Sequence, residues 1–380
     1  MIPKTIIEKI LDAVHIEDVV AEFLPLQKRG TIYRALCPFH QEKTASFTVT
    51  PNRNMFYFFG CHKGGNAITF LMEHENMAYP EAVKWLGRKY GIEVEEREET
   101  IDEKQNRLKH ETLLIVNTAV HEHYREVFLR YKPAQDYAYH RWGKKYCDEI
   151  DMGFAPIDGK TLAHLPLQKE FLQKLGLINP QDYDFLQNRI VIPIKDRYQH
   201  IIGFTARVMD DSQPKYLNSK ESLIYSKRNT VFGLDVAWRA AGKTGQMYLV
   251  EGAPDCMRLH SIGVQNAVAD LGSAWTAEQF QLIHRAAPKV CFIPDNDPPK
   301  DGAVFGTGVE AVMKAGKLAT EQHLIVSVKE IPTTEDGKKE DPDTYFTHIS
   351  IFRDVLEVDF VLWLAAKLFE TCGNTEEKSD

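Results

Sequence analysis

Apolar positions change their period along the chain, and each change marks an element. Thr5-Ile-Ile-Glu-Lys-Ile-Leu and Ile16-Glu-Asp-Val-Val-Ala-Glu-Phe-Leu carry apolar residues at helical spacing, which predicts two short amphipathic helices. The pattern then tightens: Ser46-Phe-Thr-Val-Thr and Asn54-Met-Phe-Tyr-Phe-Phe-Gly-Cys61 read as two strands joined by the turn Pro51-Asn-Arg-Asn54. Gly64-Gly-Asn66 leads into a helix with Asn66 as its N-cap, and a further helix from Tyr79 ends at Gly91. Glu93 to Lys109 is almost wholly polar, which places a domain boundary near residue 98. A long helix from about Arg107 to Tyr131 follows, with Leu113, Leu114, Val116, Ala119 and Val120 as its buried stripe. Asn188 to Lys195 and His200 to Val208 read as paired strands around the turn Asp196-Arg-Tyr-Gln.

From Met247 onward strand and helix alternate: Met247 to Glu251, Asp255 to Ser261, Gln265 to Leu271, Thr276 to Ala286, Val290 to Asp295, Gly308 to Ala319 and His323 to Ile331. That alternation predicts a four-stranded parallel sheet with right-handed crossovers. Thr276 and Gln279 fit a capping box on its middle helix. The whole chain is then multidomain α/β, divided as 1–98, 99–243, 244–346 and a helical tail 347–380.

Composition narrows the class without changing this outline. The chain has 380 residues, 43% hydrophobic and 26% charged, the balance of a soluble globular protein of two or three domains. The N-terminus lacks the basic and apolar regions of a signal peptide, and no apolar run is long enough to span a bilayer, so a cytoplasmic protein without a membrane partner is expected. Six cysteines in a chain of this length are no disulfide framework. A net charge of −8 excludes a basic coat, so any nucleic acid must be held by a local patch.

Candidate chemistry gathers at strand ends. Tyr248-Leu-Val-Glu251 and Val290-Cys-Phe-Ile-Pro-Asp295-Asn-Asp297 are apolar runs that stop on carboxylates, and the crevice of an open α/β sheet lies beyond the carboxyl ends of its strands. Glu251, Asp295 and Asp297 therefore offer hard oxygen ligands for Mg²⁺ and phosphate chemistry. Asp341-Pro-Asp343 follows the fourth strand. A run of basic residues between Arg189 and Arg228 precedes the acidic segment and suits phosphate contacts. In the first domain, Cys37-Pro-Phe-His40 and Cys61 give three ligands of a zinc knuckle pair, while Phe58 occupies the fourth position. His62 adjoins Cys61, and adjacent residues seldom point at one metal. Zinc bound through these residues and a ribbon in which Phe58 fills the metal's place are both open. Lys28, Arg29, Arg34, Lys43, Arg53 and Lys63, interleaved with Phe47, Phe56 and Tyr57, read either as a single-strand-binding face with exposed aromatics or as a charged surface over a small core.

Taken in order, Cys37-Pro-Phe-His40-Gln-Glu-Lys-Thr, Gly60-Cys61 with Gly64-Gly-Asn-Ala-Ile, Asn188-Arg189, Gly203-Phe-Thr-Ala-Arg207, Pro214-Lys215-Tyr-Leu-Asn-Ser, Val250-Glu251-Gly, Asp295-x-Asp297 and Asp341-Pro-Asp343 resemble the bacterial replicative DNA primases. The resemblance runs to about Phe346. It implies a zinc-ribbon-like domain over 1–98, an RNA-polymerase core whose N-terminal part is 99–243, and a TOPRIM domain over 244–346. It further implies synthesis of short RNA primers on single-stranded DNA from ribonucleoside triphosphates, by a nucleotidyltransferase that works with a replicative helicase and acts as a monomer. Carried over residue by residue, Glu251, Asp295 and Asp297 are the catalytic carboxylates and ligands of Mg²⁺ or Mn²⁺. Asp255, Asp341 and Asp343 form an outer acidic shell, and Arg189, Arg207, Lys215 and Lys227 hold template or nucleotide. Three departures stand out: Phe58 at a ligand position, the long Pro298 to Gly308 loop after Asp297, and a chain ending soon after Phe369, which leaves no room for a helicase-binding domain and reads as a short mobile-element form or a fragment. The competing readings are a non-catalytic single-strand-binding or replication-loading protein and a TOPRIM nuclease with Glu251 as general base.

Overall fold

The computed structural model describes residues 2–36, 46–51, 54–58, 63–75, 77–94, 100–197, 199–272, 274–299, 303–332 and 340–376. The chain divides into two compact units, Met1–Asn106 and Arg107–Asp380.

In the first unit, α1 (Lys4–Ala13) and α2 (Ile16–Val20) precede strands β1 (Gln27–Arg29), β2 (Ile32–Ala35), β3 (Phe47–Thr50), β4 (Met55–Phe58) and β5 (Lys63–Gly65). Helices α3 (Ala67–His74) and α4 (Tyr79–Lys89) follow. The strands pair antiparallel in sequence order, so the sheet has five strands where the apolar pattern marks two. β1, β2 and β5 have three or four residues each, too short to show a period of two. Asn66 caps α3 as expected, accepting from the Thr69 N–H at 3.1 Å. Asn54, at a φ of 51°, accepts from the Ile16 N–H at 2.8 Å and donates to the Leu11 carbonyl at 3.0 Å, tying the hairpin to the α1–α2 junction.

Phe47 and Phe56 are not exposed aromatics. Both are buried with Phe70, ring centroids 5.7–6.1 Å apart, because they lie opposite core neighbours on one face of the sheet. Of the basic set, Lys28, Arg29 and Arg34 are exposed. Cys37, His40, Cys61 and His62 lie outside the described residues, as does the side chain of Phe58.

The second unit is reached through α5 (Ile101–Arg130), which begins six residues before the apolar stripe predicts. Its exposed first turns are fixed by a capping box: Glu103 N–H donates to Thr100 Oγ1 at 3.2 Å and Thr100 N–H to Glu103 Oε2 at 3.0 Å. α6 (Lys132–Trp142) and α7 (Lys144–Glu149) lead to β6 (Gly153–Ala155), α8 (Lys169–Lys174), β7 (Arg189–Lys195), β8 (Ile201–Val208) and β9 (Tyr216–Asn218). These strands form an antiparallel sheet in the order β6-β7-β8-β9.

The alternating segment then gives α9 (Leu234–Thr244), β10 (Gln246–Val250), α10 (Ala253–Ser261), β11 (Ala267–Ala269), α11 (Ala277–His284), β12 (Lys289–Phe292), α12 (Thr307–Glu321) and β13 (Ile325–Val328). α13 (Pro342–Tyr345), α14 (Ile349–Asp354), β14 (Val358–Asp359) and α15 (Phe360–Glu376) complete it. The four expected parallel strands stand in the order β11-β10-β12-β13, and the short β14 adds an antiparallel edge that no periodicity announces. One apolar cluster, including Trp142, Phe154, Ile192, Met257 and Leu259, is shared between the antiparallel sheet, α6 and one face of the parallel sheet; a second, including Phe280, Phe292, Val312 and Trp363, fills the other face. Among the described residues no helix is long and apolar enough to cross a membrane.

Candidate active site

Parallel register decides where the carboxylates emerge. Leu249 pairs with Phe292, and the Ile293 N–H donates to the Leu249 carbonyl at 2.9 Å, so β10 and β12 release Glu251 and Asp295 at the same edge. Two glycines at the start of α12 let the returning chain close on them. A Cβ at Gly308 would lie 2.5 Å from the Asp295 carbonyl oxygen and 2.8 Å from Glu251 Oε1, and one at Gly306 would lie 1.9 Å from the Asp297 carbonyl oxygen. The Thr307 hydroxyl donates to Asp297 Oδ2 at 2.6 Å. The loop after Asp297 thus returns directly onto the acidic edge, although its residues 300–302 lie outside the described set.

Asp255, Asp341 and Asp343 adjoin this edge but are already engaged. Asp255 Oδ2 accepts from the Gly252 N–H at 3.0 Å, and its Oδ1 accepts from the Asp343 N–H at 3.2 Å. Asp341 caps α13, accepting from the Thr344 N–H at 2.8 Å. Asp343, 2% exposed, pairs with Arg141 and with Arg258, whose Nε donates to its Oδ1 at 3.3 Å and its carbonyl at 2.8 Å. Burial pushes the Asp255 carboxyl well above its ordinary range, and the charges of Asp295, Asp341 and Asp343 push it the same way. Burial also raises Asp343, against the pull of Arg141 and Arg258. Such crowding of hard oxygen donors is what a divalent cation relieves, so the residues fit Mg²⁺ in chemistry. Among the described residues, however, no three His, Cys, Asp or Glu side chains are gathered into a group able to hold a metal.

The basic residues are placed individually. Arg207 Nε donates to the Tyr137 hydroxyl at 2.6 Å, and its guanidinium lies 4.9 Å from the Tyr216 ring centroid. Burial raises the Tyr216 phenol, while the positive charges of Arg207 and then Arg141 pull it down. Arg189 is buried and donates to the Pro214 carbonyl at 2.9 Å, which fixes the backbone beside Lys215. Lys215 and Lys227 are exposed; Lys227 stands on a turn whose carbonyl accepts from Gln279 Nε2 at 3.1 Å. Sequence reasoning does not assign Arg141, Arg258, Tyr137 or Tyr216, because their significance lies in partners distant along the chain. The Gly306-Thr-Gly308 triplet ends the Pro298 to Gly308 loop that the sequence marks by its length, but its close approach to Asp295 and Asp297 is seen only in the structure.

Three family models match in chain order: the CHC2 zinc finger over residues 2–102, the N-terminal domain of the DNA primase catalytic core over 123–238, and a Toprim-like domain over 248–346. A DNA primase of Clostridium acetobutylicum is 34% identical over 354 residues, covering 91% of this chain and 57% of that protein, so the chain spans little more than half the length of this relative. The structure of the zinc-binding and RNA polymerase domains of the Aquifex aeolicus primase matches with a TM-score of 0.58 and 31% identity, covering 93% of this chain and 86% of that one. A DnaG primase catalytic domain bound to single-stranded DNA matches with a TM-score of 0.58 and 26% identity, over 69% of this chain and 83% of that one. With its antiparallel core sheet and TOPRIM parallel sheet in the same order as these domains, the chain belongs to the bacterial DnaG-type DNA primase family.

Proposed function

We propose that this chain synthesises short RNA primers on single-stranded DNA by metal-dependent nucleotidyl transfer. The observation that carries the reading is the acidic edge of the parallel sheet meeting the arginine-bearing antiparallel sheet within one unit, tied by the Asn218–Leu271 hydrogen bond and a shared apolar cluster. The similar DnaG catalytic domain that carries bound single-stranded DNA supports the same template.

Glu251, Asp295 and Asp297 would hold Mg²⁺ or Mn²⁺. Bound there, the ion supplies Lewis acidity toward a primer 3′-hydroxyl and neutralises charge on departing pyrophosphate. Asp255 and Asp343, spent on protein donors, act as positioning residues. Arg207, Lys215 and Lys227 neutralise template or nucleotide phosphates, and Arg189 serves by shaping the Lys215 backbone. The same reading takes ribonucleoside triphosphates as substrates, a monomer as the active form, a replicative helicase as a further partner and the cytoplasm as the location. For the ribbon, with Phe58 at the fourth ligand position, zinc bound through Cys37, His40 and Cys61 should be lost on dialysis against a mild chelator; one retained equivalent per chain would reverse that expectation.

The deciding experiment incubates the protein with single-stranded DNA, ribonucleotides and Mg²⁺. Short RNA products are expected, and Glu251→Gln should remove them. Products persisting in that variant would sink the assignment, and salt-dependent DNA binding without incorporation under Mg²⁺ or Mn²⁺ would replace it with a binding role.

A further inference from the structure

A fourth strand-end acid lies beside Glu251. Val250 pairs with Ala269, so Glu251 and Asp270 leave adjacent parallel strands, about 4.8 Å apart, at the same level. Both line one cavity of about 470 Å³, together with Trp275, Phe292 and Thr307. Asp270 is only 7% exposed, and burial holds its carboxyl above the ordinary range. Its Oδ1 accepts from the Gly272 N–H.

The residues on either side of it are tied to other elements, and one of them reaches the antiparallel sheet. Ala269 exchanges two backbone bonds with Phe232, at 2.9 and 3.0 Å. The Leu271 carbonyl accepts from Asn218 Nδ2 at 2.9 Å. Asn218 lies on β9, two residues beyond Tyr216, and Tyr216 is in register with Arg207 on β8. One short turn therefore connects the strand next to Glu251 with the strand that carries the ring beside Arg207, and a carboxylate holds that turn from inside.

We propose that Asp270 is a positioning residue: by holding the Gly272 N–H it keeps the Leu271 carbonyl on Asn218, and so sets the spacing between the acidic edge and the β8–β9 face. Its consequence for activity rests on the nucleotidyl-transfer reading; its consequence for template binding does not. The side chain acts as an acceptor rather than as a charge, so an amide should replace it.

The test compares the wild-type chain with Asp270→Ala, Asp270→Asn, Asn218→Ala and the Asp270→Ala/Asn218→Ala double variant. The readouts are affinity for a fluorescent single-stranded oligonucleotide, kcat and template KM for primer synthesis, and thermal midpoint. Asp270→Ala should weaken template binding and raise KM by about tenfold with kcat within about twofold, Asp270→Asn should stay within about twofold of wild type, and the double variant should be no weaker than Asp270→Ala. Equal losses in the Ala and Asn variants, a fall confined to kcat, or multiplicative losses in the double variant would each overturn the proposal. If the wild type incorporates no nucleotide, the priming assignment fails while the binding comparison still decides the role of Asp270. Should Asp270→Ala unfold, Asn218→Ala and Asp270→Asn carry the same opposed expectations: a loss for the first, retention for the second.

Discussion

The two sheets of the second unit handle charge in opposite ways. The parallel sheet collects carboxylates on one edge because its parallel strands run in the same direction, so residues as distant as Glu251, Asp270 and Asp295 emerge together through register alone. The antiparallel sheet sends its strand ends both ways and cannot gather cations like this. Its arginines are placed one at a time, Arg189 by the Pro214 carbonyl and Arg207 by the Tyr137 hydroxyl and the Tyr216 ring. Topology thus supplies the acidic half of the candidate site, whereas the basic half depends on individual long-range bonds.

The comparison breaks most severely at Gly308. A methyl group there meets the Asp295 backbone and the Glu251 carboxylate, so Gly308→Ala should lower primer synthesis by about a hundredfold or more while the fold survives; circular dichroism beside the priming assay checks both halves. Arg141→Ala attacks the buried pair that holds α6 to α13. It removes one of the two arginines that pair with buried Asp343 and leaves Arg258, and urea denaturation should show a loss of roughly 3 kcal/mol.

A lone buried acid on the antiparallel side sharpens the contrast. Asp184 accepts from the Tyr124 hydroxyl at 2.8 Å and the Leu186 N–H at 2.7 Å, yet burial pushes its carboxyl up to about 6 from 3.8. A raised folded value means that the fold favours the protonated form. The associated stability is therefore full below the unfolded value and is lost as pH rises through about 6. Relative to Asp184→Asn, the wild type should lose up to roughly 3 kcal/mol between pH 4 and pH 7, read from denaturation at each pH. The smallest effects belong to the exposed cations: Lys215→Ala and Lys227→Ala should each change stability by less than about 0.5 kcal/mol, and each should lower the salt slope of DNA binding by about 1.

What was legible in the sequence follows the same division. Strand–helix alternation and the apolar runs ending in Glu251 and Asp295 express topology, and the Thr276–Gln279 capping box forms as its spacing predicts, with bonds of 2.9 and 3.2 Å. Thr100 and Glu103 carry the same signal, hidden inside a polar stretch that reads as a linker. Phe47 and Phe56 could not be separated from exposed stacking residues by composition, since burial depends on the helices that cover them. Arg141 and Arg258 gave no local sign at all, while Asp270 ends the apolar run Ala267-Val-Ala as Glu251 ends its own, without being singled out. Their partners are Asp343 and Gly272, and even the nearby Gly272 matters only because Leu271 reaches Asn218.

Both margins of the parallel sheet end in short antiparallel pieces. Phe232 bridges to Ala269 beside β11, while β14 is only two residues long and passes directly into α15. Parallel strands rich in buried valine and alanine would otherwise offer open backbone rims to another polypeptide. β14 and the Phe232 bridge cap these two rims, which leaves a neighbouring chain only short segments to pair with there.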